Sequence, residues 1–295
     1  IVGMKKYMNS VEMDPLFEES ESNVGVIIAK GSIVDGSAGP GSIAGDDFVK
    51  LVRKAYKDET VKALVMRVDS GGGSAYASEV IADELEKFRK SGRPIIASMG
   101  GVAASGGYYI STPADKILAE RHTITGSIGV GGFIPTFERA LEYIGINEDG
   151  VSTVDITTSV AESLTEKDKA LLQMGTDLVY EKFISKVADN RGVTKEEIDN
   201  IARGKVWIGS KALEIGLIDE IAGIERAIEL AAELADINDE ELGIKRINRD
   251  TNIDSFFAGM IANISSSIVK IAGLEFFYKK NTIMNEIEES LNELT

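Results

Sequence analysis

The chain of 295 residues contains no cysteine and one histidine, His122. Without cysteine there is no disulfide framework, no thiol nucleophile and no thiolate metal site. A single imidazole leaves only carboxylates as further ligands, so no metal site is expected. No uninterrupted apolar run reaches the roughly 20 residues of a membrane span, and the pattern of a secretory signal peptide is missing. Cations are scarce as well: 32 Lys and Arg stand against 48 Asp and Glu, a net charge of −16. That balance argues against a nucleic-acid partner, because phosphate binding draws on clustered Lys and Arg. Proline is also rare. Five prolines against thirty glycines suit an α/β chain with many tight strand-to-helix junctions.

What is present is an alternation of strand and helix patterns. Val24-Gly-Val-Ile-Ile-Ala29 reads as a buried strand, and a Gly/Ser-rich loop follows it. An amphipathic helix with Phe48, Leu51, Val52, Ala55 and Tyr56 on one face comes next, with Asp46 as its expected cap. Val61-Lys-Ala-Leu-Val-Met-Arg-Val68 is a second strand, running into Asp69-Ser-Gly-Gly-Gly-Ser74 and a helix over about 75–90. Pro94-Ile-Ile-Ala-Ser-Met99 is a third strand, expected to end at two glycines. Such an order implies a parallel sheet with right-handed crossovers, whose functional groups gather at the carboxyl ends of the strands. Further helices are expected at 135–144, 166–190 and 223–236, with short strands at 116–119 and 205–208. Three parts are expected: residues 1–22 as an entry segment or linker, 23–240 as the catalytic domain, and 241–295 as an amphipathic extension for oligomer or membrane contact. The start at Ile1, without a methionine, is expected of a piece of something longer.

The chemistry concentrates at Met99-Gly-Gly-Val-Ala-Ala-Ser-Gly-Gly-Tyr-Tyr109. Here a strand meets a helix start, and Ser105 stands at the junction beside exposed amides that stabilise developing negative charge. A serine hydroxyl at its ordinary pKa is a weak nucleophile and needs a base. The triple glycine Gly71–Gly73 is a mere turn when taken alone. It is followed by no Gly-Lys-Ser/Thr of a phosphate loop and matches no dinucleotide fingerprint, so no cofactor is implied. Paired with the Ser105 loop, it offers a second oxyanion-binding amide. His122 reads as a surface or loop residue, and the Gly-x-Ser-x-Gly elbow of α/β-hydrolases is absent around Ser105. Lysine is the base that remains.

These residues resemble the signal peptide peptidase family of serine–lysine proteases. The resemblance is carried by 67–79, 97–109, Thr123-Ile-Thr-Gly-Ser-Ile-Gly129, Gly204-Lys-Val-Trp-Ile-Gly209 and Gly216-Leu-Ile-Asp219, and it extends over about 22–240. It implies an α/β fold of the Clp-protease/crotonase type, a spiral of repeated β-β-α units. It implies Ser105 as nucleophile, amides of Gly72 or Gly73 and of Gly106 as oxyanion hole, and Ser127 as the hydroxyl that orients the lysine. It further implies hydrophobic peptides as substrate, a homo-oligomeric ring or bowl, and a soluble catalytic domain associated with the periplasmic side of an inner membrane.

Two departures stand out. Gly71 replaces the family's usual proline, and the segment 150–163, where short members carry the base, holds no lysine. Lys167 and Lys169, just beyond it, read as solvated. The segment instead resembles the carboxyl-terminal, serine-bearing half of the long two-repeat members. The lysine is then expected from the amino-terminal half of the same protein or from a neighbouring subunit. Two rival readings are a crotonase-like acyl-CoA enzyme with the same two-amide hole and a non-catalytic scaffold of the same fold.

Overall fold

A computed structural model describes residues 20–39, 41–148, 153, 156, 159–238 and 242–248. The linker up to residue 19 and the amphipathic stretch beyond 248 lie outside the described residues. The architecture is the expected α/β one. Six parallel strands run in the order β10–β1–β4–β5–β6–β9. They are β1 (Ser22–Lys30), β4 (Val61–Ser70), β5 (Ile95–Ala104), β6 (Lys116–Ala119), β9 (Glu220–Ile221) and β10 (Leu242–Arg246).

The central strands read as unbroken apolar runs because both of their faces are covered. Successive side chains point to opposite faces. Leu64, Met66 and Val68 of β4 enter the main core with Ile27, Ile95 and Ile117. Ala63 and Val65 join Val24, Val26, Ile96 and Leu118 in a smaller cluster on the other face. That second face is sealed by α8 (Ile224–Leu234), through Ala227, Ile228, Ala231 and Ala232. The main core lies under α1 (Gly45–Lys57), α2 (Ala75–Lys90) and the later half of α5 (Glu166–Arg191).

Four expectations change. The helix cap is not Asp46: α1 begins at Gly45, no side chain caps it, and Asp46 and Asp47 lie in its first turn, where carboxylates favour the positive end of the helix. The third strand does not end at its glycines. Ile96–Met99 of β5 pair with β6, whereas Val102–Ala104 pair with β7 (Ile124–Gly126). Gly100 and Gly101 therefore mark a change of partner rather than a stop. The helix expected at 135–144 is the short α4 (Glu138–Tyr143), which buries no side chain. Finally, the boundary expected at 240 falls short, because β10 pairs with β1 and contributes Leu242 and Ile244 to the second cluster.

The remaining elements surround the carboxyl ends of β4 and β5. The short strands β2 (Ser32–Val34) and β3 (Ser42–Ala44) pair with each other, and β7 pairs in antiparallel fashion with β8 (Val206–Ile208). Among the described residues there are three further short helices: α3 (Gly106–Ser111), α6 (Lys195–Ile201) and α7 (Gly209–Glu214). The long α5 starts in a capping box built by Thr165 and Asp168 and ends at Gly192 in the left-handed conformation.

Arg191 in the last turn of α5 makes a two-pronged contact with Asp219 at 2.9 and 3.2 Å, while Asp219 accepts the Ile117 amide at 2.8 Å. Burial opposes ionisation of Asp219, but Arg191, that amide and Lys116 outweigh it and hold its carboxyl below the usual range. A depressed carboxylate contributes stability that is full above its unfolded pKa and lost as pH falls through the folded value. Arg191→Met should lower the unfolding free energy by about 1–3 kcal/mol, less than a fully buried pair because both partners are partly wet. Urea denaturation at neutral pH measures this, and the difference from the parent should shrink below about pH 4.

Candidate active site

Ser105 directly follows β5 and takes the N-cap position of α3, with φ 52° and ψ −121° and no side-chain cap bond. Positive φ in a residue with a side chain costs on the order of 1–3 kcal/mol and persists only where the surroundings enforce it. Here they do so from both sides. The Ser105 amide donates to the Gly126 carbonyl at 2.9 Å, fixing the serine to the end of β7. Its carbonyl accepts the Tyr109 amide at 2.9 Å, starting α3. The helix is then tied down by two tyrosines. The Tyr108 hydroxyl donates to the Leu217 carbonyl at 2.6 Å, and that of Tyr109 donates to Glu79. Burial pushes the pKa of both phenols far up, so they remain donors at all ordinary pH.

The glycine loop after β4 reaches the same place. β2 clamps it: the Ile33 amide donates to the Gly72 carbonyl at 3.0 Å and the Ser74 amide to the Ile33 carbonyl at 2.9 Å. Gly72 has φ 104°, and a Cβ there would lie 2.7 Å from the Gly106 nitrogen and 2.9 Å from Ser105 Cβ. The two loops are thus in backbone contact. Gly73, at φ 153°, is closed to a side chain by the Ile33 carbonyl, 2.0 Å from where its Cβ would fall. The amide of Gly72 donates to Ser70 Oγ at 3.1 Å. Those of Gly73 and Gly106 have no acceptor among the described residues, and both line a cavity of about 650 Å³ together with Ser105. Of the glycines read from the sequence, the geometry offers Gly73 and Gly106 as free donors. Ser70, missed in the sequence, decides this. The only local signal for it was a hydroxyl two residues before a glycine amide.

Ser127 follows the last residue of β7 and has φ 48°, with its amide donating to the Lys205 carbonyl at 2.7 Å. Ser105 and Ser127 both line a second cavity of about 480 Å³, on the side of Gln173, Thr176, Asp177, Tyr180 and Arg203. Asp199 lies beside Tyr180 and Arg203, and their hydrogen bonds lower its pKa to about 2.

No lysine among the described residues lines this second cavity. The Lys205 ammonium donates to the Asn200 carbonyl at 2.7 Å. Lys182 lines the first cavity, but its pairing with Glu79 at 2.8 Å raises its pKa, the opposite of what a neutral base requires. Lys167 and Lys169 are exposed, the latter paired with Glu166 at 2.7 Å. His122 is exposed on the turn after β6. Among the described residues no cluster of three or more His, Asp or Glu side chains is placed to hold a metal ion.

Gly72→Ala should therefore destabilise the fold by about 2–4 kcal/mol, since its Cβ strikes backbone that cannot retreat. Urea unfolding of the parent and the variant measures this.

Comparison with known proteins agrees with the motifs. The pattern of Peptidase family S49 matches residues 87–238. Protease 4 of Salmonella typhi is 45% identical over 218 residues, which cover 74% of this chain and 35% of that protein. Protease 4 of Haemophilus influenzae is 42% identical over 214 residues, again 35% of its length. The chloroplastic serine protease SPPA of Arabidopsis thaliana is 31% identical over 279 residues, 92% of this chain and 40% of that one. The chain thus spans about a third of the length of the two Protease 4 relatives. The serine-centred loops and the mostly parallel sheet that carries them have the same source: the chain belongs to peptidase family S49, with its Clp-protease-like fold.

Proposed function

We propose that the chain is the serine-bearing part of a peptidase that works through an acyl-enzyme, with a lysine from outside this chain as general base. The observation that carries this is the position of Ser105 between two cavities. Among the described residues, one is lined by the free amides of Gly73 and Gly106, and the other by Ser127 and no lysine. In this reading Ser105 Oγ attacks a peptide carbonyl while a neutral lysine accepts its proton. The two amides receive the oxyanion. The same lysine then protonates the leaving amine and activates the water that hydrolyses the ester. Ser127 orients the lysine. Burial of the lysine at the interface keeps it neutral.

Membrane-released signal peptides and other hydrophobic peptides are the proposed substrates, processed at a membrane surface by an oligomer. Among the described residues no helix is long and apolar enough to cross a membrane. The surface near the site supports a partner. Among the described residues, most of the exposed large apolar side chains fall between residues 124 and 179, with Phe133 and Tyr143 about nine-tenths exposed. The first four turns of α5 bury no apolar side chain and expose Met174 and Leu178. A surface so apolar marks a contact with another folded segment.

The test is turnover of a fluorogenic hydrophobic peptide by the chain alone and together with the lysine-bearing remainder of its parent protein. The chain alone should be slower by about 100-fold or more, the typical contribution of a positioned general base. Ser105→Ala should abolish the reconstituted activity. Equal rates with and without the added segment would sink the idea of an external base.

A further inference from the structure

Glu79, near the start of α2, and Lys182, on α5, line the same cavity as Ser105, Gly106 and Gly73. Much of the remaining wall is apolar: Val130, Val179, Phe183 and the ring of Tyr109. On one oxygen Glu79 takes the ammonium groups of Lys182 at 2.8 Å and Lys186 at 3.5 Å. Its other oxygen accepts the Tyr109 hydroxyl. Lys186 also pairs with Asp83 at 3.0 Å and lies 5.4 Å from the centre of the Tyr109 ring.

These partners are not equivalent. The Lys182 side chain is 60% exposed, against 23% for Lys186 and 19% for Glu79. Exposed ion pairs contribute little, so Lys182 can swing into solvent at small cost. Tyr109 and Lys186 then still hold the carboxylate in place. An aliphatic stem beside apolar walls, ending in a cation on Glu79, is also what a basic side chain of a bound peptide would present.

We propose that the cavity beside Ser105 receives the Lys or Arg side chain of the residue whose carbonyl Ser105 attacks. Glu79 is the specificity-determining residue, and Lys182 is a stand-in displaced on binding. The proposal rests on the reading of Ser105 as an acyl-enzyme nucleophile, and it adds a cleavage preference to it. Signal peptides carry a short basic segment directly ahead of their apolar run. A peptide of that class therefore offers a cationic residue next to the apolar stretch. An acidic side chain would meet Glu79 and a chain of net charge −16, and is excluded by the same field.

Peptide boronic acids ending in arginine, leucine or glutamate test this, because boron forms a reversible tetrahedral adduct on a serine hydroxyl that mimics the transition state. Titrated against the chain reconstituted with the lysine-bearing remainder of its parent protein, the arginine probe should bind at least about tenfold tighter than the glutamate probe. Glu79→Gln should lower the arginine-to-leucine affinity ratio about tenfold, since a charge-assisted contact is lost. Lys182→Met, which removes the competing cation, should raise that ratio. Arginine no tighter than glutamate, or a ratio unmoved by Glu79→Gln, overturns the preference while leaving the nucleophile intact. If no probe binds, or Ser105→Ala binds all three as well as the parent, the acyl-enzyme reading fails and takes the preference with it.

Discussion

The contact between two backbone loops is the constraint on which the site depends. Gly72 and the Ser105–Gly106 junction lie so close that a single added carbon would strike both. Neither loop sets this approach alone. The Gly72 loop is fixed by β2 through Ile33, and the serine loop by β7 through Gly126. Both loops leave from neighbouring parallel strands, so their separation follows from the roughly 5 Å spacing of a sheet. Strain at Ser105 is thus held by strand pairing, not by any contact of the serine side chain.

The long helix α5 divides into two halves with different work. Its later half is core: Phe183 stacks edge-on against Tyr109 at 4.9 Å, and Val187 and Ala188 are buried. Arg191 then ties its end to Asp219 and, through that carboxylate, to the start of β6. Its earlier half carries apolar residues with nothing described beneath them. A helix rarely keeps such a face in water unless a partner covers it. The two halves meet at residues 179–183, where the helix lines the cavity beside Ser105.

Much of this was legible in the sequence, and the gaps have physical causes. β1, β4, α2 and α5 announce themselves through local apolar pattern, and Ser105, Ser127 and the glycine loop through motif. β5 was cut short because glycine usually weakens a strand. Here it marks a change of partner that depends on β6 and β7, later in the chain. β10 was missed because five residues past a helix carry no pattern of their own, and only β1, far away in sequence, makes them a strand. Which of the Gly72 and Gly73 amides is left without an acceptor is hinted at in the sequence only by the hydroxyl of Ser70. It turns on the rotamer of Ser70, which no spacing encodes. Glu79 and Lys182 stand far apart in sequence and meet only because α2 and α5 pack around α3.

The two serines show how backbone pairing alone shapes the candidate site. Gly126 accepts the Ser105 amide and is followed directly by Ser127, so one residue of β7 sets the placement of both hydroxyl-bearing residues. Each serine adopts positive φ, and each is anchored by a backbone hydrogen bond, Ser105 to the Gly126 carbonyl and Ser127 to the Lys205 carbonyl, that involves no lysine side chain. The residues proposed as nucleophile, oxyanion donors and orienting hydroxyl are therefore held by backbone pairing to β2, β7 and the Lys205 carbonyl. In the proposed reading the base arrives with another segment, and the backbone bonds that hold the two serines do not require it. Under the proposed reading, activity would be conditional on assembly, because the chain alone would present a shaped but unactivated serine.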